Sequence, residues 1–100
     1  MRKIEEKMID AINYRKNWSC DNTMVEIFDN EIIVKLHFHP IARINKNSIK
    51  LSSFGYETRT TKSRLNAILS HFGKERIYQQ DFVWYINNEL FIDGMSISLV

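Results

Sequence analysis

The chain is poor in the residues that define several classes of protein. Its 100 residues include one cysteine, one proline and three glycines, and the formal net charge is only +2. A single cysteine, Cys20, cannot form an intramolecular disulfide, so we expect a reducing compartment such as the cytoplasm. With 44% hydrophobic residues and so few glycines and prolines, the composition predicts a compact globular chain rather than a disordered one.

Long apolar runs and a strong charge of one sign are also missing. No stretch approaches the ~20 apolar residues that a membrane-spanning helix needs, and the first residues lack the apolar block of a secretion signal. The mildly basic balance, with a pI of 8.8, excludes an acidic DNA mimic and falls short of a dedicated polycationic binder. We therefore expect a single domain over residues 1–100, without membrane contact.

Apolar periodicity predicts an α+β protein. The predicted elements are a helix over 3–16, strands over 24–28, 31–38, 41–44 and 48–52, a helix over 61–72, and strands over 76–79 and 82–86. Residues 17–23 are expected to be a turn-rich connection, and residues 87–100 a C-terminal hairpin extension turning at Asp93-Gly94. The order α-β-β-β-β-α-β-β plus hairpin predicts an antiparallel sheet with both helices packed on one face.

The strand patterns also predict which side chains are inside. Alternation along 31–38 places Ile32, Val34, Leu36 and Phe38 on one face. Asp29-Asn30 is a predicted hairpin turn, because both residues tolerate positive φ. Pro40 has no N–H to donate, so we expect the segment His39-Pro40 to interrupt the sheet.

The start of the second helix carries positive charge where acidic residues are usual. The unpaired N–H groups of a helix's first turn are partly positive, yet residues 58–64 supply cations and hydroxyls there. We predict that this end binds an anion, either a phosphate or a carboxylate of a partner. The alternative is a Thr-capped helix whose cations point into water. The predicted binding residues are Arg59, Thr60, Thr61, Lys62, Ser63, Arg64 and, further along the chain, Arg76.

Catalytic motifs are missing from the sequence. The glycines of a P-loop do not precede Thr61-Lys62-Ser63, and there is no Gly-x-Ser-x-Gly elbow. His37 and His39 have a spacing that can hold a metal, but further ligands such as Cys20 or His71 are distant in sequence, and two solvated histidines are the alternative. We therefore expect a non-catalytic protein, and we assign no cofactor and no metal site.

Several aromatic residues are candidates for stacking on nucleic-acid bases. Tyr56 and Tyr85 are the predicted surface platforms, with the cations near the second helix available for phosphates. Phe82 and Trp84 share one face of the strand 82–86, and we expect both in the core. No RNP motif, helix-turn-helix spacing or zinc-finger pattern is present.

Four stretches of the chain resemble a family of short bacteriophage accessory proteins. They are Met1-Arg2-Lys3-Ile4-Glu5-Glu6-Lys7-Met8, Asn17-Trp18-Ser19 followed by Asn22-Thr23, Thr60-Thr61-Lys62-Ser63-Arg64-Leu65-Asn66-Ala67-Ile68-Leu69, and Tyr78-Gln79-Gln80 before Trp84-Tyr85. The resemblance covers residues 2–86, and its most specific part is the helix block 60–69. The family usually has a glycine-containing turn at the position of 38–40, and the tail from Asn87 resembles an extension.

The resemblance implies a small non-catalytic protein in the host cytoplasm that binds a host machine, such as a CRISPR–Cas nuclease, a restriction system or a polymerase. We therefore predict an interaction protein that inhibits a host protein or ribonucleoprotein complex, as anti-CRISPR proteins do. The alternative is a single-stranded DNA- or RNA-binding protein that uses the same cations with Tyr56 and Tyr85. A homodimer formed through the strand 95–100 is compatible with either.

Overall fold

A computed structural model of the protein describes residues 2–100, which form two helices and nine strands. Met1, the first residue of the stretches that carry the resemblance, lies outside the described residues. The helices are α1 (Lys3–Tyr14) and α2 (Arg59–His71). The strands are β1 (Trp18–Cys20), β2 (Thr23–Ile27), β3 (Ile32–Leu36), β4 (His39–Ile44), β5 (Ser48–Leu51), β6 (Tyr78–Gln80), β7 (Val83–Ile86), β8 (Glu89–Leu90) and β9 (Ser96–Ser98). Within residues 2–100, neither helix has the length and apolar character that a membrane span requires.

The predicted α+β class is confirmed. Six strands form one antiparallel sheet in the order β1-β2-β3-β4-β5-β9, and β6, β7 and β8 form a second, smaller antiparallel sheet. Both helices cover one face of the larger sheet, as predicted. α1 packs on β1 and β2, and α2 packs on β4 and against α1.

Alternating strand residues and the apolar stripes of both helices build one continuous core. Val25, Val34 and Ala42 lie opposite one another on β2, β3 and β4, and all three are buried. The smaller sheet contributes Trp84, which is 2% exposed, as expected. The core also includes Met8, Ala11, Ile12, Leu65, Ile68, Leu69, Ile77, Ile86, Phe91 and Ile97. Because these residues form one cluster, the smaller sheet is attached to the same core as the larger one.

Both helices end with the backbone features that terminate helices. Arg15 adopts a left-handed conformation with φ 53° after α1, and its N–H and that of Lys16 bond to carbonyls of the last turn. After α2, Gly73 has φ 68°, and the N–H of Lys74 donates to the carbonyl of Leu69 over 2.8 Å. Glycine adopts this left-handed geometry without the steric cost of a Cβ atom, so it suits the end of α2.

Two local predictions in the larger sheet are wrong. The segment expected to be a turn-rich connection contains strand β1, which pairs with β2 from Trp18 to Cys20. Pro40 does not interrupt the sheet: it lies within β4 opposite Lys35, next to a bulge in which Ile41 of β4 has no opposite residue on β3. The β4–β5 pairing begins only at Ala42, so on that side no ladder bond is required from the nitrogen of Pro40.

Two phenylalanines predicted to face the core instead lie at hairpin tips. Phe38 follows His37 in the two-residue turn between β3 and β4 and is 80% exposed. Phe82 follows Asp81 in the equivalent turn between β6 and β7 and is 91% exposed. In both places the period-2 alternation continues through residues that turn the chain, so the pattern predicted a strand that was too long.

The expected C-terminal hairpin is not formed, although a turn does occur at Asp93-Gly94. β8 pairs with β7 in the smaller sheet, whereas β9 pairs with β5 at the edge of the larger one. The N–H of Gly94 donates to the carbonyl of Leu51 over 2.7 Å, and the N–H of Leu51 donates to Met95 over 2.8 Å. The turn therefore passes the chain from one sheet to the other. The turn at Asp29-Asn30 is confirmed, since β2 and β3 pair on either side of it, but neither residue has the positive φ on which the prediction rested.

Candidate binding site

The start of α2 is capped by a threonine. The helix begins at Arg59, two residues before the predicted start, and Thr58 is the N-cap residue. The Thr58 hydroxyl oxygen accepts from the N–H of Thr61 over 3.2 Å and lies 3.0 Å from the Thr61 hydroxyl. No acidic residue occupies the first turn. The helix end therefore keeps its partial positive charge, while Thr61, 1% exposed, serves the cap rather than a partner.

A pocket of 460 Å³ lies against this helix end. Its polar walls come from two places, the β3–β4 hairpin and the segment that leads into α2. The polar and aromatic lining residues are His37, His39, Ser53, Tyr56, Thr58, Thr60 and Thr61. The His39 ring stacks on Phe54 with centroids 4.4 Å apart and on Tyr56 with centroids 5.5 Å apart. We call this cavity the α2 pocket; its hydroxyls and imidazoles can bind a polar or anionic group.

The two histidines meet the helix end but do not assemble a metal centre. Among the described residues there is no group of three or more histidine, cysteine, aspartate or glutamate side chains placed to hold a metal ion. His71 lies at the far end of α2, away from His37 and His39 in the α2 pocket.

Arg64 is not a partner-binding residue, and that prediction is wrong. Its side chain is buried, and its Nη1 donates to Glu5 Oε2 of α1 over 2.7 Å. Nε of Arg64 donates to the Thr23 hydroxyl over 3.0 Å, and Nη2 donates to Asn22 Oδ1 over 3.4 Å. The guanidinium is thus neutralised by the chain's own carboxylate and ties α2 to α1 and to the β1–β2 turn.

Ser63 also takes part in this internal contact with Glu5. Its hydroxyl donates to the same Oε2 atom of Glu5 over 2.5 Å. The short distance fits a hydroxyl donating to a charged carboxylate. Ser63 and Arg64 therefore form a structural cluster with Glu5, which is buried on α1.

The remaining predicted cations are divided between two surfaces. Arg59 is exposed in the first turn of α2, and Lys62 Nζ donates to Gln79 Oε1 over 3.3 Å. Arg76 lies elsewhere, in a groove of 1040 Å³ bordered by α2 and β9 that shares no residue with the α2 pocket. The helix start therefore retains Arg59, Thr60 and Lys62 as candidate contacts, without Arg76.

The two predicted stacking tyrosines are also separated. Tyr56 is exposed beside the α2 pocket. Tyr85 is half-buried on β7, where its ring stacks on Tyr78 with centroids 5.6 Å apart. The exposed rings that the prediction missed are Phe38 and Phe82. The sequence carried no signal for these two turns, because two-residue hairpin turns favour asparagine and glycine rather than His-Phe or Asp-Phe.

Comparison with protein families shows a similarity over nearly the whole chain. A protein-family model described as Kyanoviridae Gp96 protein matches residues 1–98. No curated protein and no solved structure matches the chain.

Proposed function

Because the chain belongs to the Kyanoviridae Gp96 family, a family of cyanophage proteins, we propose that it is a non-catalytic phage protein that binds a host complex and inhibits or modulates it. The host complex would be one of defence or nucleic-acid processing, as for anti-CRISPR proteins, and the setting would be the host cytoplasm. The observation that carries this proposal is the exposure of Phe38 and Phe82 at hairpin tips, together with the α2 pocket that the Phe38 hairpin shares with the start of α2. Exposed aromatic anchors beside arginine and lysine are typical of protein interfaces.

Internal bonding of the polar side chains supports a non-catalytic role. The Glu5 carboxylate holds Arg64 and Ser63, and the Asp93 carboxylate accepts from the N–H and hydroxyl of Ser53 over 2.7 and 2.8 Å. The Asn66 side chain donates to the carbonyl of Ile77, the residue just before β6, and accepts from its N–H. The carboxylates of Glu5 and Asp93, two groups that could serve as acids or bases, are therefore engaged in holding the fold, which supports recognition rather than catalysis.

Nucleic-acid binding, the alternative, receives less support. It requires cations that line up along a phosphate backbone, with aromatic platforms between them. Arg64 is withdrawn into the core, Arg76 lies in a different groove, and Tyr85 is stacked on Tyr78. Fluorescence anisotropy with labelled single-stranded oligonucleotides at low salt tests this alternative, and absence of binding there eliminates it.

Pairing of two copies through β9 is a further interaction that we propose. β9 is an edge strand, and the N–H of Leu99 donates to Asn47 over 2.8 Å on the β5 side. Since alternate residues face opposite edges, the N–H groups of Ser96 and Ser98 point to the free edge. Sedimentation of the wild type and of Ser98→Lys tests the dimer: a wild-type dimer that the lysine dissociates supports it, and a wild-type monomer rejects it.

The main proposal is tested by co-purification from a host cyanobacterial lysate, followed by identification of the bound protein by mass spectrometry. We expect one stoichiometric host protein or ribonucleoprotein with the wild type, and a weaker yield with Arg59→Glu/Lys62→Glu. Lys46→Glu is the matched control, because Lys46 lies near His71 at the other end of α2. Recovery of no stoichiometric partner with the wild type would contradict the proposal.

A further inference from the structure

We infer that Phe38, Phe54 and Phe82 together form the surface through which the protein docks on a folded host protein, an inference that rests on the proposed function. We call these three side chains the aromatic end.

Each of the three phenylalanines has a backbone conformation that phenylalanine normally avoids. The φ angles are 67° for Phe38, 55° for Phe54 and 65° for Phe82, all in the left-handed region. For a residue with a Cβ atom this region costs about 1–2 kcal/mol, and bulky residues are rare in it. Strained backbone is retained where the surroundings hold it, and it concentrates at functional sites.

The chain itself shows which residues suit this conformation. Three two-residue hairpin turns have positive φ at both positions, namely His37-Phe38, Asp81-Phe82 and Asn87-Asn88. Asparagine is among the residues that this turn favours, so Asn88 is the expected occupant of the second position. Phe38 and Phe82 occupy the same position in the other two turns, where local geometry alone would favour asparagine or glycine.

Folding buries little of the Phe38 and Phe82 rings and only part of the Phe54 ring, so burial does not offset the backbone strain. Phe38 and Phe82 leave most of their surface in water, and Phe54 is 48% exposed, with one face on His39. The strained turns therefore cost free energy in the isolated protein, and the exposed rings return little of it through burial. Burial in the pockets of a partner recovers the apolar surface energy that the free protein leaves unused.

The three rings lie at the same end of the molecule. Phe54 stacks on His39, the residue that follows the Phe38 turn. β6 runs antiparallel to α2, because Ile77 bonds to Asn66 and Gln79 bonds to Lys62, one helical turn nearer the start of α2. Two residues beyond Gln79, about 7 Å along the strand, the turn that carries Phe82 reaches the level of the first turn of α2.

The charges around the aromatic end indicate a protein partner. Arg59 and Lys62 are accompanied by exposed acidic residues, namely Glu57, Asp81 and also Asp21, which lines a pocket with Phe38. A polyphosphate backbone needs a net positive surface, which this balance does not supply. Two tip rings flanked by charges of both signs instead fit a folded protein that presents apolar pockets with a mixed polar rim.

The test compares phenylalanine-to-asparagine variants with a matched control. Phe38→Asn and Phe82→Asn remove the rings and place in each turn the residue that its backbone favours. Phe28→Asn is the control, since Phe28 is 49% exposed in the β2–β3 turn and has an ordinary φ. The host protein recovered from the cyanobacterial lysate is identified and purified, and its affinity for each variant is measured by isothermal titration calorimetry. Melting temperatures are measured in parallel.

We expect each tip variant to lose at least about 30-fold in affinity, the loss typical of an interface anchor. We also expect its melting temperature to stay level or rise, because the turn is relieved of strain. Phe28→Asn should leave the affinity unchanged.

The other outcomes overturn the inference in distinguishable ways. If the purified partner binds the tip variants as tightly as the wild type, the aromatic end is not the docking surface, while the proposed function stands. If the wild type binds no host protein, the proposed function fails as well. If the aromatic end binds oligonucleotides or a second copy of the chain instead, the partner class is wrong. A marked fall in the melting temperature of both tip variants would show that the rings serve the fold.

Discussion

Replacing Arg64 by alanine is expected to remove about 3–5 kcal/mol from the free energy of unfolding, because it leaves a buried carboxylate without its counter-ion. The side chains of Arg64 and Glu5 are each 4% exposed, and the pair is 2.7 Å apart. The same guanidinium also bonds to Thr23 and Asn22. A domain of this size is stable by only about 5–15 kcal/mol, so the variant loses a large share of its stability.

The loss is measured by urea denaturation followed by circular dichroism, with the m-value checked for constancy. On the usual scaling for a domain of up to 100 residues, the melting temperature should fall by about 12–40 °C. Lys62→Ala is the matched control on the same helix. Its ammonium has only the 3.3 Å contact with Gln79, and we expect a change within about 0.5 kcal/mol.

A double variant separates the ion pair from the general effect of truncation. Glu5→Leu/Arg64→Met replaces both charges by apolar side chains of similar length, and its stability should approach that of the wild type, because no unpaired charge stays buried. The stability losses of the two single variants therefore should not add up to that of the double variant. If the free energy of unfolding of Arg64→Ala lies within about 1 kcal/mol of the wild-type value, the ion pair is not desolvated and the reasoning is refuted.

Three further predictions concern polar side chains that hold backbone. Thr58→Ala should cost about 0.5–2 kcal/mol of unfolding free energy by removing the cap of α2, while Thr58→Ser should retain most of it in the same denaturation assay. Asn66→Ala should cost about 1–3 kcal/mol of unfolding free energy, because the N–H and C=O of buried Ile77 lose their partners. Asn66→Asp can accept but not donate, so its stability should lie between those of the wild type and Asn66→Ala. An equal loss in both variants would contradict this account. Asp93→Ala should cost about 1.5–3 kcal/mol and raise amide hydrogen exchange at Gly55, and unchanged exchange there would show that the carboxylate does not hold that loop.

Much of the fold followed from periodicity, because long regular elements carry clear patterns. α1, α2 and strands β2 to β5 lie close to their predicted positions, and the α+β class is correct. The missed strand β1 is only three residues long, and turn-forming residues surround it. The sheet partners of β8 and β9 were not predictable, since pairing with β7 and β5 depends on contacts between distant parts of the chain.

The role of Arg64 was nevertheless indicated by the sequence. It lies next to Leu65 and four residues before Ile68, on the buried stripe of α2, and Glu5 lies three residues before Met8 on the buried stripe of α1. Two opposite charges on the apolar faces of two helices that pack on the same sheet predict a buried pair. The exposed tips could not be predicted in this way, because the left-handed backbone of Phe38 and Phe82 is set by strand pairing rather than by their own preference.

The turn at Asp93-Gly94 also has a chemical consequence. An aspartate followed by glycine is prone to isoaspartate formation, in which the glycine nitrogen attacks the aspartate side-chain carboxyl group. Here the carboxyl oxygens accept from Ser53 and Gly55, and the Gly94 nitrogen is bonded to Leu51. Both reacting groups are held by other partners in the native state, so chemical ageing at this peptide bond should require the turn to open first. Accumulation of isoaspartate on storage would then report how often that opening occurs.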